Sequence, residues 1–269
     1  MRWDIVFDTL RAFMQRAGTT LGGLGAFLVA GMLIAVAAIL LFGQVAQYVM
    51  SGKTQAFDEA VLKWMAANKT PLADAAMVEV TALGTGVVVL TIVGVSSLFL
   101  MLTRHKYSAL LLLVATAGGL LLNTALKQFF DRPRPQLFEW GTHAATSSFP
   151  SGHAMSATIV YSTVAYLAAR LYKRVWPRWI TMILALIIIA LICASRMYLG
   201  VHYPSDVLAG ATIGLGWAAF CMATLEAIQR FSLRSRPEIT KDEMPPPDVA
   251  QAHVTHPVAS GGTPTRPTT

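Results

Sequence analysis

From Leu21 to Gly43 the chain reads LGGLGAFLVAGMLIAVAAILLFG, a run of 23 residues without a charge. A helix crossing the hydrocarbon core of a bilayer needs about 20 such residues at a rise of 1.5 Å each. Strands of a globular sheet do not reach that length. Five further blocks of the same character follow, so that apolar stretches occupy roughly residues 20–48, 79–102, 107–127, 153–171, 179–195 and 206–226. The fifth, WITMILALIIIALICAS, is the shortest and is expected to need a thin or locally adapted bilayer. Composition agrees, with 55% hydrophobic and only 13% charged residues, about half the charged share of a soluble domain. The expected fold is an all-α integral membrane protein, a bundle of six transmembrane helices.

Charge placement orients the bundle. With the N-terminus inside, 14 of the 21 basic residues fall on the inner side, and Lys53, Lys63, Lys69, Lys127, Arg132, Arg134 and Arg196 on the outer. Cytoplasmic loops carry the excess of Lys and Arg, so both termini are expected in the cytoplasm. Topology thereby accounts for the net charge of +7, and no nucleic-acid partner is called for. The two cysteines, Cys193 and Cys221, sit inside apolar runs and read as small buried thiols rather than a disulfide framework.

Three segments are expected from these patterns. In residues 1–19, Trp3, Val6, Phe7, Leu10, Phe13, Met14 and Ala17 recur at helical spacing, which predicts an amphipathic helix at the interface. Asp4 and Asp8 before so long an apolar run speak against a cleaved leader. Residues 20–228 form the membrane domain, and within it Phe57, Val61, Trp64 and Met65 mark a second amphipathic stretch. Residues 229–269, rich in Pro, Thr and Gly, predict a disordered cytoplasmic tail.

Charge is absent from the middle of the spans, which weighs against an ion-coupled transporter or channel. The ionisable residues gather at span ends in three clusters: Lys127-QFFDRP-Arg134-Pro135, Pro150-Ser151-Gly152-His153, and Ser195-Arg196-MYLGV-His202-YPS-Asp206. In six antiparallel spans the ends of the third and fifth lie on the same side as the starts of the fourth and sixth. All three clusters therefore meet at one membrane face, and the charge bias makes it the outer one.

Such an assembly suits a phosphoryl group. Lysine, arginines and oriented N–H donors match negative charge spread over phosphoryl oxygens. The PSGH stretch opens a helix whose N-terminus favours anions, and Gly152 leaves the backbone uncovered. One histidine can attack phosphorus while the other protonates the leaving oxygen. Asp206 follows His202 by four residues, so on a helix the carboxylate can hold the imidazole in its attacking tautomer. Each piece alone has a plainer reading. Lys127, Arg132 and Arg134 read as interfacial anchors, Ser151 and Gly152 as a cap and turn, and Asp206 as a favourable first-turn charge. The conjunction of all three strings in order is what points to chemistry.

K-x6-RP, PSGH and SR-x5-H-x3-D, in this order, resemble the three-part signature of the type 2 phosphatidic acid phosphatase family, relatives of bacterial acid phosphatases and vanadium haloperoxidases. The likeness spans roughly residues 55–226, with no signature position departing from the pattern. It implies that His202 is the nucleophile forming a phosphohistidine, Asp206 its orienting carboxylate and His153 the general acid. It further implies that Lys127, Arg134, Ser151, Gly152 and Arg196 bind the phosphate, with Arg132 also within reach of the site. His143 falls outside the signature and is a further candidate only by its place in the loop between the first two clusters. The resemblance implies no metal and no cofactor. The chain likewise offers no acidic cluster for magnesium and no Cys/His ligand spacing.

The expected activity is removal of a terminal phosphate from a lipid phosphate or pyrophosphate at the outer leaflet of a bacterial inner membrane. Candidate substrates are undecaprenyl pyrophosphate, favoured because an outward site suits a carrier lipid released outside, phosphatidylglycerol phosphate and phosphatidic acid. The alternatives are a lipid phosphotransferase using the same site and a catalytically silent lipid-binding scaffold. Oligomeric state is open at this level.

Overall fold

The computed structural model describes residues 28–138, 146–172 and 174–234, so the 1–19 segment, His143 and most of the 229–269 tail lie outside the described residues. Every regular element among the described residues is a helix: α1 (Leu28–Met50), α2 (Gln55–Ala67), α3 (Pro71–Ala82), α4 (Gly86–Leu102), α5 (Lys106–Phe130), α6 (Gly152–Leu171), α7 (Val175–Tyr198) and α8 (Pro204–Arg234). The described residues up to 230 make one compact unit; beyond them only the last turn of α8 is described.

Four helices, α1, α5, α7 and the first 25 residues of α8, are long and apolar enough to cross a membrane, and a fifth span results if α3 and α4 act together. Their burial pattern is that of a bilayer protein. Within the apolar windows of α1, α5 and α7 less than a third of the residues are buried, whereas over half are in α8, which is therefore the central helix. The outward-facing residues are large and apolar, Leu40, Leu121 and Leu186 among them.

The structure departs from the expected spans at two places. The single span expected over 79–102 is broken, because α3 ends at Ala82, α4 begins at Gly86 and the two axes differ by 46°. Thr85 takes an extended conformation at the break, with its hydroxyl donating to the Ala82 carbonyl at 2.7 Å. The helix of the fifth block is longer than the block itself. α7 runs for 24 residues because Trp176, Pro177 and Arg178 enter its first turn, where a proline lacks no needed N–H bond. It is long and apolar enough to cross a membrane. α6 has the length of a span, 20 residues, but not the apolarity, since His153, Ser156, Thr158, Ser162, Thr163 and Arg170 lie along it. Ser156 and Thr158 turn their hydroxyls back onto the Gly152 and Ala154 carbonyls, both at 2.8 Å.

α8 packs against α6 through GATIG. A Cβ on Gly210 would stand 2.4 Å from the Ser151 carbonyl oxygen, and one on Gly214 would stand 2.8 Å from that of Met155. This small-x3-small seam lets the two backbones touch. It also brings the start of α6 against the start of α8, where the Ser151 N–H donates to the Asp206 carbonyl at 3.0 Å.

The loop entering α6 is pinned from below. Phe149 is fully buried and packs its ring on Phe130 (5.0 Å between centroids) and Phe42 (5.8 Å). Phe149→Ala is expected to cost about 3–5 kcal/mol, read as a large fall in the melting temperature of the detergent-solubilised protein.

Candidate active site

The ends of four helices build the site. α5 terminates at Phe130 because Asp131 adopts a left-handed conformation (φ 39°), its N–H closing on the Lys127 carbonyl at 3.2 Å. Asp is one of the few side chains that tolerate that region. Pro133 and Pro135 then keep the chain extended. Lys127 in the last turn of α5 and Arg134 in the following stretch reach the same place: both donate to the Ser147 carbonyl, Arg134 at 3.4 Å. Arg134 also donates to the Thr146 and Val201 carbonyls, each at 2.7 Å.

His202 sits in the turn between α7 and α8, 2% exposed. Its Nδ1 stands 3.6 Å from Asp206 Oδ2, and its Nε2 3.3 Å from an Arg134 amine. Asp206 is fully buried in the first turn of α8. Its Oδ2 accepts the Tyr203 N–H at 2.9 Å and its Oδ1 faces Arg132 at 2.6 Å. The carboxylate is thus fixed on both oxygens, with the imidazole Nδ1 facing its Oδ2.

Burial holds the His202 imidazole well below its ordinary range, at about 4. Asp206 acts against this shift, while Arg134 and Arg196 add to it. His202 is therefore neutral at physiological pH. Burial likewise lowers the Arg134 guanidinium, with Asp206 opposing.

Ser151 occupies the N-cap position of α6, yet its hydroxyl makes no capping bond and is buried without a partner. The cap reading of this serine does not hold. Gly152 follows, and a Cβ there would stand 3.0 Å from the Asn123 amide nitrogen. What a side chain at 152 would crowd is therefore Asn123. His153, in the first turn of α6, is close enough to feel the charges of Arg196, His202, Arg134 and Lys127. Gly84, in the break between α3 and α4, leaves room for its ring. Arg196, in the last turn of α7 and 3% exposed, donates to Thr81 at 2.7 Å, while its Nε has no partner.

Among the described residues, four buried side-chain atoms without a hydrogen-bond partner belong to this region: Ser151 Oγ, Arg196 Nε, His202 Nδ1 and Asn123 Oδ1. From His153 and Gly152 a cavity of about 220 Å³ extends between α4, α5 and α6, walled by Val89, Leu90, Leu120 and Ile159. Among the described residues no group of three or more His, Cys, Asp or Glu side chains is placed to hold a metal ion.

Arg132 stands apart from the other cations. Its two amines are divided between Asp206 (2.6 Å) and Asp58 (3.0 Å), and its guanidinium lies 4.2 Å over the Tyr203 ring. It is neither an interfacial anchor nor turned toward the Lys127–Arg134–Arg196 side of the site. The sequence reading missed Asp58 and Asn123. Asp58 had a faint signal, an acid on the face of α2 opposite the exposed Phe57 and Trp64, together with buried Leu62. Asn123 had a clearer one, an amide four residues before Lys127 in an otherwise apolar span.

Arg134 and Asp206 thus face the two nitrogens of one imidazole, and the start of α6 is held against Asp206. The sequence model of the PAP2 superfamily matches residues 108–230. Phosphatidylglycerophosphatase B of Bacillus subtilis is 32% identical over 197 residues, which cover 73% of this chain and 97% of that protein. The chain belongs to the PAP2 superfamily. A crystal structure of a transmembrane PAP2-type phosphatidylglycerolphosphate phosphatase from Bacillus subtilis superposes with a TM-score of 0.70 at 31% identity, covering 74% of this chain and all of that one. An undecaprenyl-diphosphatase of Sulfolobus acidocaldarius is 28% identical over 138 residues, 49% of this chain and 62% of that protein. The chain is a multi-pass membrane protein and a lipid phosphatase of this superfamily.

Proposed function

We propose that this phosphatase works through a phosphohistidine on His202, with His153 as general acid, and that phosphatidylglycerol phosphate or undecaprenyl pyrophosphate is its substrate. One observation carries the mechanism. The two ring nitrogens of His202 face different partners, Nδ1 toward Asp206 at 3.6 Å and Nε2 toward Arg134 at 3.3 Å. A carboxylate facing Nδ1 favours the proton there, which leaves the Nε2 lone pair for attack beside the phosphate-binding arginine. In the first step the Nε2–P bond forms, the P–O bond to the leaving group breaks, and His153 gives its proton to the leaving oxygen. In the second, water attacks phosphorus, His153 takes the proton, and the N–P bond breaks to release phosphate. Lys127, Arg134, Arg196, the Ser151 hydroxyl and the Gly152 N–H hold the phosphoryl oxygens throughout.

The apolar cavity beside His153 supports a lipid leaving group, since that is the side from which the leaving oxygen departs. Phosphatidylglycerol phosphate stands first, because the relative matched over 97% of its own length carries that name. We place the chain in a bacterial inner membrane with six spans, both termini cytoplasmic and the site on the outer side. The 14 basic residues of the inner segments support that orientation, and the length of α6 supports the sixth span.

Phosphate release by the detergent-purified protein tests the reading. A panel of phosphatidylglycerol phosphate, undecaprenyl pyrophosphate, phosphatidic acid and glucose 6-phosphate, assayed with EDTA, should show release from a lipid, insensitive to the chelator. Chelator-sensitive release would overturn the mechanism, and transfer of labelled phosphate to a second lipid would make the enzyme a transferase.

The pH profile of kcat/KM gives an independent check. Attack requires neutral His202, so the acid limb should fall as pH drops through about 4, rather than through the ordinary 6.5 of an exposed imidazole.

A further inference from the structure

We propose that Asp58, an acid on α2 far from every signature residue in sequence, is a positioning residue for the nucleophile, acting on Asp206 through Arg132 and Ser205. This rests on the phosphohistidine reading above. Asp58 is fully buried. Its Oδ1 accepts the Ser205 N–H at 3.0 Å, and its Oδ2 accepts both the Ser205 hydroxyl and an Arg132 amine, the latter at 3.0 Å. The other Arg132 amine donates to Asp206 Oδ1 at 2.6 Å and to Ser205 Oγ at 2.9 Å.

The arrangement closes a ring. Asp58 holds the residue directly before Asp206 through its backbone and its hydroxyl, and it holds the arginine that grips Asp206 from the side. Arg132 and the Tyr203 N–H together set the plane of the Asp206 carboxylate, so that Oδ2 points at His202 Nδ1. A planar guanidinium bridges two carboxylates with a rigid fork of donors, whereas an ammonium is a point charge on a flexible stem and does not fix their relative orientation. Gln55, one turn before Asp58 on the same face of α2, completes the contact, accepting from Arg132 and donating to the Tyr203 hydroxyl, each at 3.4 Å. Asp58 touches neither ring nitrogen of His202 nor any of Lys127, Arg134 and Arg196. Its loss should therefore slow attack and leave phosphate affinity intact.

The test uses full-length, detergent-purified Asp58→Asn, Arg132→Lys, the double variant and His202→Ala. Turnover on a lipid phosphate, single-turnover phosphoenzyme formation, orthovanadate affinity and melting temperature are measured for each. Asp58→Asn is expected to lose about 10–100-fold in kcat and in phosphoenzyme formation, as removal of an outer partner of a working group does, with KM and vanadate affinity within about threefold of wild type. The double variant should lose no more than the worse single one, because both changes break the same link. Ser205→Ala removes one contact of Asp58 without leaving a buried charge unpaired, and should lose several-fold in kcat alone. It serves if Asp58→Asn does not fold.

Wild-type kcat in folded Asp58→Asn, or in Ser205→Ala should that variant be needed, overturns the proposal. So does a loss that appears in vanadate affinity, or additive losses in the double variant. Full activity in His202→Ala would instead overturn the phosphohistidine reading itself. Inactive His202→Ala beside wild-type Asp58→Asn would overturn the role of Asp58 alone.

Discussion

His202→Ala should abolish turnover, with kcat falling by on the order of 10⁶-fold, the scale on which loss of a covalent nucleophile is felt. The acid-labile, base-stable phosphoenzyme of the wild type should vanish with it. The fold should survive. The imidazole is nearly fully buried, but on its truncation Arg134 keeps the Val201 carbonyl and Asp206 Oδ2 keeps the Tyr203 N–H, so neither partner is stranded. Vanadate should still bind, weakened only by loss of the nitrogen, because Lys127, Arg134 and Arg196 remain. A melting curve, a vanadate titration and a phosphate-release assay on one preparation check all three. Residual turnover within tenfold of wild type would mean that another group attacks phosphorus.

Asp206→Asn is the second large effect, about 10⁴-fold in kcat, the magnitude seen when an orienting carboxylate becomes an amide that selects the wrong imidazole tautomer. Here the amide has a further consequence. Arg132 would be left with Asp58 as its one carboxylate partner, in a site where it now has two. Breaking a buried pair by neutralising one partner is destabilising. The variant should therefore melt lower as well as turn over more slowly, unlike His202→Ala. An Asp206→Asn protein that keeps its melting temperature but loses turnover would place the whole effect on the imidazole.

Much of the site was legible because its residues lie within a few positions of helix ends, and helix ends are written in apolar periodicity, prolines and glycines. Lys127 and Arg134, Ser151 to His153, and Arg196 to Asp206 are three short strings, each local, that point to chemistry when taken together in order. Asp58 was not. It meets Arg132 across 74 residues and Ser205 across 147, and nothing in its own neighbourhood announces either contact. Arg132 and Arg134 were separable by motif spacing, but their opposite engagements were not. One arginine bridges two carboxylates while the other, two residues on, faces the histidine.

Helical limits were read least well where apolarity and helix length part company. Residues 79–102 form one apolar block, but Gly84 and the extended Thr85 break it, because hydropathy reports what a segment can bury and not whether its backbone turns. α7 outruns its apolar block, since a helix continues through Trp176–Arg178 as readily as through leucine.

By itself, then, the amino-acid sequence determined that this chain is a helical membrane protein, and it marked the three polar strings that stand at helix ends. Those properties are local: runs of about 20 apolar residues cannot stay in water, and charged residues are excluded to their edges. The tertiary structure alone decided which ring nitrogen of His202 faces which partner, and that Arg132 belongs to two carboxylates. It also decided that a glycine seam on α8 sets Asp206 against the start of α6. Apart from the His202–Asp206 pair, four residues apart, these are contacts across 50 to 150 residues, set by how whole helices pack, and no short string of residues encodes them.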